Sequence, residues 1–344
     1  MKNVKLLSEN IGDGFPCYFI AEIGNLFKNF EEAKRLIDSA KQIGINAVKF
    51  QTWDIETFTT KNNFFDFEAT GHVSQYELHK ELEISSDLQH QIVDYAKKNN
   101  VTIFSAPSHM KDIKLMEELD LPIYKIGSDL ACHIPLLKEV AKLDKPIILS
   151  TGMCTMEEVK NSVNAILSTG NDQLAILHCV ADYPTKPEET NLSVISTLKK
   201  ELDLPIGLSD HNTNPVIAIG AASIGANLIE KHFKDSKNSS SPDDIVALDK
   251  NQFRNMIQSI RLIEKAIGNG KKNPTESEKI NLLTNRVSIV SMKEIKAGQI
   301  ITEKLIDIRR PGRGIQPSLF NTIIGKKAKI DIPKEEPLTF DMLE

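Results

Sequence analysis

Short apolar segments alternate with longer amphipathic segments along residues 18–267, and few folds accommodate such a pattern. Eight of the short segments are rich in β-branched residues and predict buried parallel strands, at 18–23, 47–51, 102–105, 123–126, 146–150, 174–179, 205–208 and 227–231. Apolar residues at helical spacing predict helices at 30–43, 88–99, 111–119, 134–142, 155–167, 192–201, 215–224 and 250–267. Eight βα units over about 250 residues have the size and order of a (β/α)8 TIM barrel, so the sequence predicts this α/β fold.

The alternation ends near Gly268, and the composition of the chain changes there. Segment 268–285 combines Gly, Asn and Pro with charged residues, which is typical of an exposed linker between separately folded domains. From residue 286 the chain has short strand-like runs separated by turns. We therefore predict a barrel domain at 1–267, a linker at 268–285 and a small β-rich domain at 286–344.

The overall composition excludes several classes of protein. The chain is 40% hydrophobic and 26% charged, which is enough apolar surface for a full core. Its 42 Lys and Arg residues nearly balance 47 Asp and Glu residues, so overall charge does not favour binding to nucleic acid or to a membrane. No segment approaches the ~20 apolar residues of a membrane span, and residues 1–16 lack the apolar core of a secretion signal. Four cysteines without a Cys-x-x-Cys pair are expected as reduced thiols, and we expect a cytoplasmic protein.

Nearly every predicted strand ends in side chains that can ionise or form hydrogen bonds. These side chains include Glu22, Lys49, Gln51, Lys125, Ser128, Ser150, Tyr183, Ser209, His211, Glu230 and His232. Barrel enzymes build their active sites at the carboxyl ends of the strands, whereas barrel interiors otherwise contain Val, Ile and Leu. A paired charge or a hydrogen-bonded hydroxyl could explain any one of these residues alone, but the whole set indicates an active site.

Lys49 and Lys125 lie within apolar strands, where an ammonium group must be paired or neutralised. An anionic ligand could supply the opposite charge, and a structural ion pair with Glu22 or Glu230 is a comparably good explanation. Hydroxyl groups that would suit a phosphate or a carboxylate follow the strands at Ser128, Ser150 and Ser209.

His211 and His232 fall at the ends of neighbouring predicted strands, where two imidazole rings could converge on one divalent metal ion. Two nitrogen ligands would leave coordination positions open for water and substrate. His178 lies inside an apolar run, and we expect it to be a hydrogen-bonded core histidine.

Six motifs resemble, in order, those of the sialic acid synthase family: FIAEIG at 19–24, AVKFQT at 47–52, YKIGS at 124–128, KPIILSTGM at 145–153, GLSDH at 207–211 and IEKHF at 229–233. The carboxyl-terminal region resembles the antifreeze-like (SAF) domain of that family, through RRPGRGI at 309–315 and IGKKA at 324–328. The resemblance extends over nearly the whole chain. The chain departs from the family pattern at Thr70, Ala106, Leu130 and Ala181.

The resemblance implies a synthase that condenses phosphoenolpyruvate with an N-acylated hexosamine such as N-acetylmannosamine and releases phosphate by carbon–oxygen cleavage. It implies that phosphoenolpyruvate is held by Lys49, Lys125, Ser128, Ser150 and Ser209. His211 and His232 match two metal ligands, usually of Mn²⁺, with Mg²⁺ or Co²⁺ as alternatives. The residues that match positions around the acceptor sugar are Glu22, Gln51, Tyr183 and Asp243. Arg310 matches an arginine that reaches the sugar in the other subunit, so the resemblance also implies a domain-swapped homodimer.

The expected chemistry assigns Glu22 as general acid or base, and Lys49 and Lys125 as groups that offset phosphate charge. Two alternatives remain open at this point. One is a legionaminic or pseudaminic acid type of synthase that uses a 2,4-diacetamido-trideoxyhexose. The other is a non-catalytic sugar-binding protein that kept the fold.

Overall fold

A computed structural model describes residues 3–67, 71–235 and 242–344 of the chain. The chain divides into two compact units, Met1–Gly268 and Asn269–Glu344. The division falls beside the predicted domain boundary at 267. Thr70, one of the positions at which the chain departs from the family pattern, lies outside the described residues.

The first unit is built on a closed barrel of eight parallel strands, as the sequence predicts. The strands of this unit, inside and outside the barrel, are β1 (Val4–Leu6), β2 (Glu9–Ile11), β3 (Tyr18–Glu22), β4 (Ala47–Thr52), β5 (Phe64–Phe67), β6 (Gly71–Ser74), β7 (Thr102–Pro107), β8 (Tyr124–Ile126), β9 (Ile147–Ser150), β10 (Leu174–Cys179), β11 (Ile206–Asp210) and β12 (Leu228–His232). Strands β3, β4 and β7 to β12 form the barrel in chain order, with β12 paired to β3. All eight correspond to predicted strands.

Helices surround the barrel. They are α1 (Phe30–Gln42), α2 (Ile55–Phe58), α3 (Gln75–Leu82), α4 (Ser86–Lys98), α5 (Asp112–Glu118), α6 (Ile134–Ala141), α7 (Met156–Leu167), α8 (Pro187–Thr190), α9 (Ser193–Leu202), α10 (Val216–Ser223) and α11 (Lys250–Ile267). Local side chains fix their starts: the Ser85 side chain accepts a hydrogen bond from Leu88 N at α4, and Thr155 and Glu158 form a capping box at α7. None of the helices in the described parts of the chain is long and apolar enough to cross a membrane.

The barrel unit has one apolar cluster between strands and helices and a second one inside the barrel. The inner cluster includes Val4, Leu6 and Ile11 from an antiparallel hairpin formed by β1 and β2. These three residues pack with Tyr18, Ala47 and other interior residues near the amino ends of the strands. The hairpin therefore fills the end of the barrel opposite the predicted active site. No pattern in the sequence had predicted this hairpin.

The second unit contains α12 (Lys279–Thr284), β13 (Ser288–Ser291), β14 (Ile306–Arg309) and α13 (Phe320–Ile323). Strands β13 and β14 pair antiparallel, and several isolated bridges add to the β structure. Its core is rich in isoleucine, with Ile289, Ile295 and Ile323 fully buried. The predicted linker is partly helical, because α12 lies within it. It groups with this unit, and Gly312 N donates a hydrogen bond to Leu283 O over 3.0 Å.

Candidate active site

Parallel pairing brings predicted site residues from separate parts of the sequence to one end of the barrel. Glu22 on β3 is aligned with Lys49 on β4 and with His232 on β12. Ser209 on β11 is aligned with Glu230 on β12. All five side chains are buried, so the carboxyl ends of these strands form a polar interior.

Glu22 and Lys49 form a buried ion pair, between Oε2 of Glu22 and Nζ of Lys49. The other carboxylate oxygen of Glu22 accepts hydrogen bonds from Gly24 N at 2.8 Å and from Gln51 Nε2 at 3.3 Å. Gly24 has a φ of +50°, which suits a glycine and lets the backbone turn back onto the carboxylate. Burial raises the pKa of Glu22 above its ordinary value, Lys49 opposes this effect, and the nearby Glu230 carboxylate reinforces it.

Lys125 lies at the centre of a second buried group. Its Nζ donates to Ser150 Oγ at 2.7 Å and lies 3.4 Å from Glu230 Oε1. Ser209 Oγ donates to the same Glu230 oxygen at 3.0 Å. Four predicted or candidate residues from β8, β9, β11 and β12 are thus joined in one network.

The two lysines are paired with carboxylates, which agrees with the structural ion pair that was one of the two explanations for their burial. Lys49 pairs with Glu22 and Lys125 with Glu230. Because two ammonium groups face two carboxylates, the four groups carry no net charge when all are ionised. The pairing does not prevent anion binding, since the raised pKa of Glu22 allows this carboxyl to take up a proton.

Ser128 follows β8 and is half-buried. Its Oγ accepts a hydrogen bond from Gly152 N, which follows β9, at 2.9 Å. A Cβ atom at Gly152 would lie only 2.8 Å from Ser128 Oγ, so this close approach requires glycine. The contact joins the two loops that follow β8 and β9.

His211 is buried at the end of β11 and held by two hydrogen bonds. Its Nδ1 lies 2.9 Å from the carbonyl oxygen of Val180, and a carbonyl oxygen can only accept, so Nδ1 carries the proton. Its Nε2 therefore has a lone pair, and it accepts from the Tyr183 hydroxyl at 2.9 Å. The Tyr183 ring stacks on the His211 ring at 4.1 Å between centroids.

His232 is buried beside His211, with 5.5 Å between the ring centroids. Its Nδ1 has no hydrogen-bond partner and lies 3.5 Å from Asp243 Oδ2. Burial, together with positive charge nearby that includes the Lys49 ammonium group, holds the pKa of His232 well below its ordinary value, which keeps the imidazole neutral.

The two imidazoles suit a transition-metal ion. One offers a lone pair on Nε2, and the other has a buried ring nitrogen without a hydrogen bond, as expected for a ligand position. In the part of the chain that the structure describes, no cluster of three or more His, Cys, Asp or Glu side chains has the geometry to hold a metal. His211 and His232 are the residues that would hold such an ion.

Other predicted residues take different positions. His178 is a core histidine, as expected, with Nε2 2.7 Å from Thr190 O. Arg310 lies in the second unit, where its side chain is exposed. Ala106, at another position that departs from the family pattern, is buried at the end of β7.

Glu230 was predicted among the polar strand-end groups and as a pairing partner for a lysine, without a binding or catalytic role, and Asn25 was not predicted. Glu230 is the acceptor shared by Lys125 and Ser209. Asn25 is buried, accepts from Gln51 N at 3.2 Å, and has an amide nitrogen without a hydrogen-bond partner. Asn25 comes three residues after Glu22, the last residue of β3, and this position just beyond a strand end could have identified it as a site residue.

A cavity of about 450 Å³ lies at the other end of the barrel, lined by residues that include Leu7, Thr102 and Pro122. None of the predicted site residues contributes to it. We therefore assign the candidate active site from the polar groups at the carboxyl ends of the strands.

The closed barrel and this polar end define the chain as a TIM-barrel protein with an enzyme-like site. Within that class the chain belongs to the NeuB family, which residues 36–272 match, and residues 286–344 match the SAF domain. Relatives include sialic acid, legionaminic acid and pseudaminic acid synthases.

Individual relatives are similar over nearly their whole length. The N,N'-diacetyllegionaminic acid synthase of Legionella pneumophila is 32% identical over 343 residues, covering 97% of this chain and 96% of that protein. The human N-acetylneuraminate-9-phosphate synthase is 30% identical, covering 97% of this chain and 94% of that protein. The crystal structure of a sialic acid synthetase from Leptospira borgpetersenii, in complex with citrate, is 29% identical and superposes with a TM-score of 0.74, covering 82% of this chain and 95% of that one.

Proposed function

We propose that this protein is a nonulosonic acid synthase, which condenses phosphoenolpyruvate with an N-acylated hexosamine and releases phosphate by carbon–oxygen cleavage. The observation that carries the proposal is the grouping of two buried lysine–carboxylate pairs with two buried imidazole rings at one end of the barrel. Membership of the NeuB family supports it.

Phosphoenolpyruvate binds on the side of Lys49, Lys125 and the hydroxyls of Ser128, Ser150 and Ser209 in this proposal. The two lysines and their two carboxylates are neutral together, so an incoming phosphate and carboxylate would leave an excess of negative charge. Protonation of Glu22, which burial favours, removes one negative charge and leaves Lys49 free to bind the anion.

The acceptor sugar binds on the side of Glu22, Gln51, Tyr183 and Asp243. The Tyr183 hydroxyl and the buried Glu22 carboxyl are groups that can hydrogen-bond to sugar oxygens. A divalent ion held by His211 and His232, with Mn²⁺ as the first choice and Mg²⁺ or Co²⁺ as alternatives, would polarise the sugar aldehyde as a Lewis acid.

The protein's own groups then account for the transfer of protons and charge. As C3 of phosphoenolpyruvate attacks the aldehyde carbon, protonated Glu22 donates its proton to the aldehyde oxygen and becomes the carboxylate that pairs with Lys49. Water adds at C2, where positive charge has developed, and gives its proton to the Glu22 carboxylate. The tetrahedral intermediate then expels phosphate, which takes the proton of the C2 hydroxyl as the keto group forms. Lys125, supported by Ser150, stabilises the charge on the departing phosphate.

N-acetylmannosamine is the first acceptor to test, and a 2,4-diacetamido-trideoxyhexose is the second. The second acceptor is included because the relatives of this chain comprise a legionaminic acid synthase that is 32% identical over 97% of the chain. We further propose a cytoplasmic homodimer in which Arg310 of one subunit completes the sugar site of the other, based on the RRPGRGI motif and the exposure of the Arg310 side chain.

Phosphate release from phosphoenolpyruvate across a panel of amino sugars tests the proposal. We expect metal-dependent release with at least one N-acylated hexosamine, and the preferred sugar decides between the two acceptors. Lys125→Met should abolish release, whereas Lys138→Met, an exposed lysine on α6, should leave it unchanged. If the protein binds a sugar but releases no phosphate with any sugar of the panel, the result would support the non-catalytic alternative.

A further inference from the structure

Cys132 and Cys154 form a pair of thiols that the proposed reaction does not use. Their Sγ atoms lie 3.8 Å apart, although the residues are 22 positions apart in the sequence. Cys132 is exposed and Cys154 is half-buried, and both are reduced. Cys17 and Cys179, by contrast, are buried.

The pair lies on the catalytic side of the barrel, in the loops that follow β8 and β9. Cys132 comes four residues after Ser128, and Cys154 comes two residues after Gly152. The hydrogen bond from Gly152 N to Ser128 Oγ, 2.9 Å long, already joins these two loops. The thiol pair is thus a second point of contact between the same two segments.

The residue after each cysteine is the N-cap of a helix. His133 Nδ1 accepts a hydrogen bond from Leu136 N at α6, and Thr155 belongs to the capping box of α7. The backbone next to each cysteine is therefore fixed by a helix cap, and the two capped loops bring the sulfur atoms to 3.8 Å.

We propose that Cys132 and Cys154 are a modification site, which a small-molecule disulfide converts into an intramolecular disulfide that alters the phosphate end of the active site. The Cys132 thiolate attacks one sulfur of the external disulfide, forms a mixed disulfide and releases one thiolate. Cys154 then attacks the Cys132 sulfur and releases the second thiolate. The two protein thiols lose two electrons and two protons, and the external disulfide is reduced to two thiols.

The environments of the two sulfurs set the order of attack. Burial raises the pKa of the Cys154 thiol to about 12, and the hydrogen bond with Cys132 adds to this rise. Cys132 is exposed and is therefore the first nucleophile. Once Cys132 is in a mixed disulfide, its contribution to the high pKa of Cys154 is removed, which favours the second attack.

Bond formation must change the loop contact. The sulfur atoms have to approach from 3.8 Å to about 2.05 Å. Gly152 lies close against Ser128 and Ala181, since a Cβ atom at this position would lie 2.8 Å from Ser128 Oγ and 3.3 Å from Ala181 Cβ. We expect the displacement to reach Ser128 and to weaken phosphoenolpyruvate binding by about 2- to 10-fold, as for the loss of one hydrogen bond. This part of the inference rests on the proposed function.

The experiment treats the full-length reduced protein with oxidised glutathione and follows it by intact mass and peptide mapping. We expect the loss of two hydrogen atoms per chain, a crosslink between the Cys132 and Cys154 peptides, and reversal by dithiothreitol. Cys154→Ser should retain one glutathione on Cys132, and Cys132→Ser should react more slowly. Titration calorimetry measures the dissociation constant of phosphoenolpyruvate before and after oxidation. This constant should rise on oxidation in the protein that has both cysteines, but not in Cys132→Ser.

The outcomes separate the two parts of the inference. The proposed modification site would be overturned if the thiols do not react, or if the protein that has both cysteines keeps a stable glutathione adduct. A disulfide that leaves phosphoenolpyruvate binding unchanged would overturn its link to the Ser128 contact. If the reduced protein does not bind phosphoenolpyruvate, both that link and the proposed function fail, while the mass data still decide the thiol chemistry.

Discussion

Burial of Glu22 beside Lys49 gives a pH dependence that can be measured. Since burial raises the pKa of Glu22, the protonated acid persists to higher pH than for an ordinary glutamate. A general acid is active when protonated, so turnover should fall as pH rises through this raised pKa. Glu22→Gln should lower kcat by about 10²- to 10⁴-fold and remove this dependence from the pH profile.

The matched control for Glu22 is Glu31→Gln, because Glu31 is an exposed carboxylate on α1. It should leave both kcat and the pH profile unchanged. A Glu22→Gln enzyme that keeps the same fall in turnover with pH would show that another group titrates.

His211 and His232 should be required for metal binding. Replacing either with Ala removes one of only two imidazoles at the site, so bound Mn²⁺ and activity should be lost together. Elemental analysis would measure bound metal, and circular dichroism would show that the fold is retained. His72→Ala, at an exposed position on β6, is the control. Full activity in thoroughly chelated protein would contradict the assignment.

At the scale of elements, the β1–β2 hairpin is expected to stabilise the barrel without taking part in chemistry. Leu6 is 1% exposed in the inner apolar cluster, whereas the adjacent Leu7 is 44% exposed. Leu6→Ala should lower the free energy of unfolding by about 2–5 kcal/mol, because it leaves a cavity in the barrel. Leu7→Ala should change it by less than about 0.5 kcal/mol.

Urea denaturation of the two variants would measure this difference, and steady-state kinetics would show whether the site is affected. We expect unchanged KM values in both, since the hairpin packs at the amino ends of the strands. Equal stability of the two variants would mean that the hairpin does not contribute to the core.

The same hairpin marks the limit of what the sequence could predict. The barrel strands were predictable because each is an apolar run followed by an amphipathic helix, a pattern that recurs eight times. The strands of the hairpin have only three residues each, too few to show a period of two. The segments between β4 and α4 also went unpredicted, and they include the β5–β6 hairpin.

The candidate site was predictable in its residues but not in its pairings. Strand ends identified Glu22, Lys49 and Lys125 as site residues, because charged groups are rare in apolar strands. Which carboxylate pairs with which lysine depends on register and barrel closure, and the stacking of Tyr183 on His211 depends on a loop conformation. These contacts join residues far apart in the chain, so no local pattern encodes them.

At the scale of the whole molecule, the proposed dimer predicts that Arg310 acts in the other subunit. Its guanidinium can donate two hydrogen bonds to acyl or hydroxyl oxygens of the sugar. Arg310→Ala should therefore raise the KM for the sugar by about tenfold or more, with little effect on the KM for phosphoenolpyruvate. Arg309→Ala is the control, since Arg309 is the adjacent arginine and pairs with Asp307 at 3.0 Å.

A mixed dimer gives the decisive measurement. Arg310→Ala chains retain His211, and His211→Ala chains retain Arg310, so each mixed dimer would contain one complete site. Statistical mixing should restore about a quarter of the normal activity, because half of the dimers are mixed and each has one working site of two. Mixed dimers that form, as shown by differently tagged chains, but are no more active than the average of the two parents would mean that Arg310 does not act across the dimer. Restored activity would also show that the catalytic unit of this protein is the dimer, because neither parent chain can supply both residues to one site.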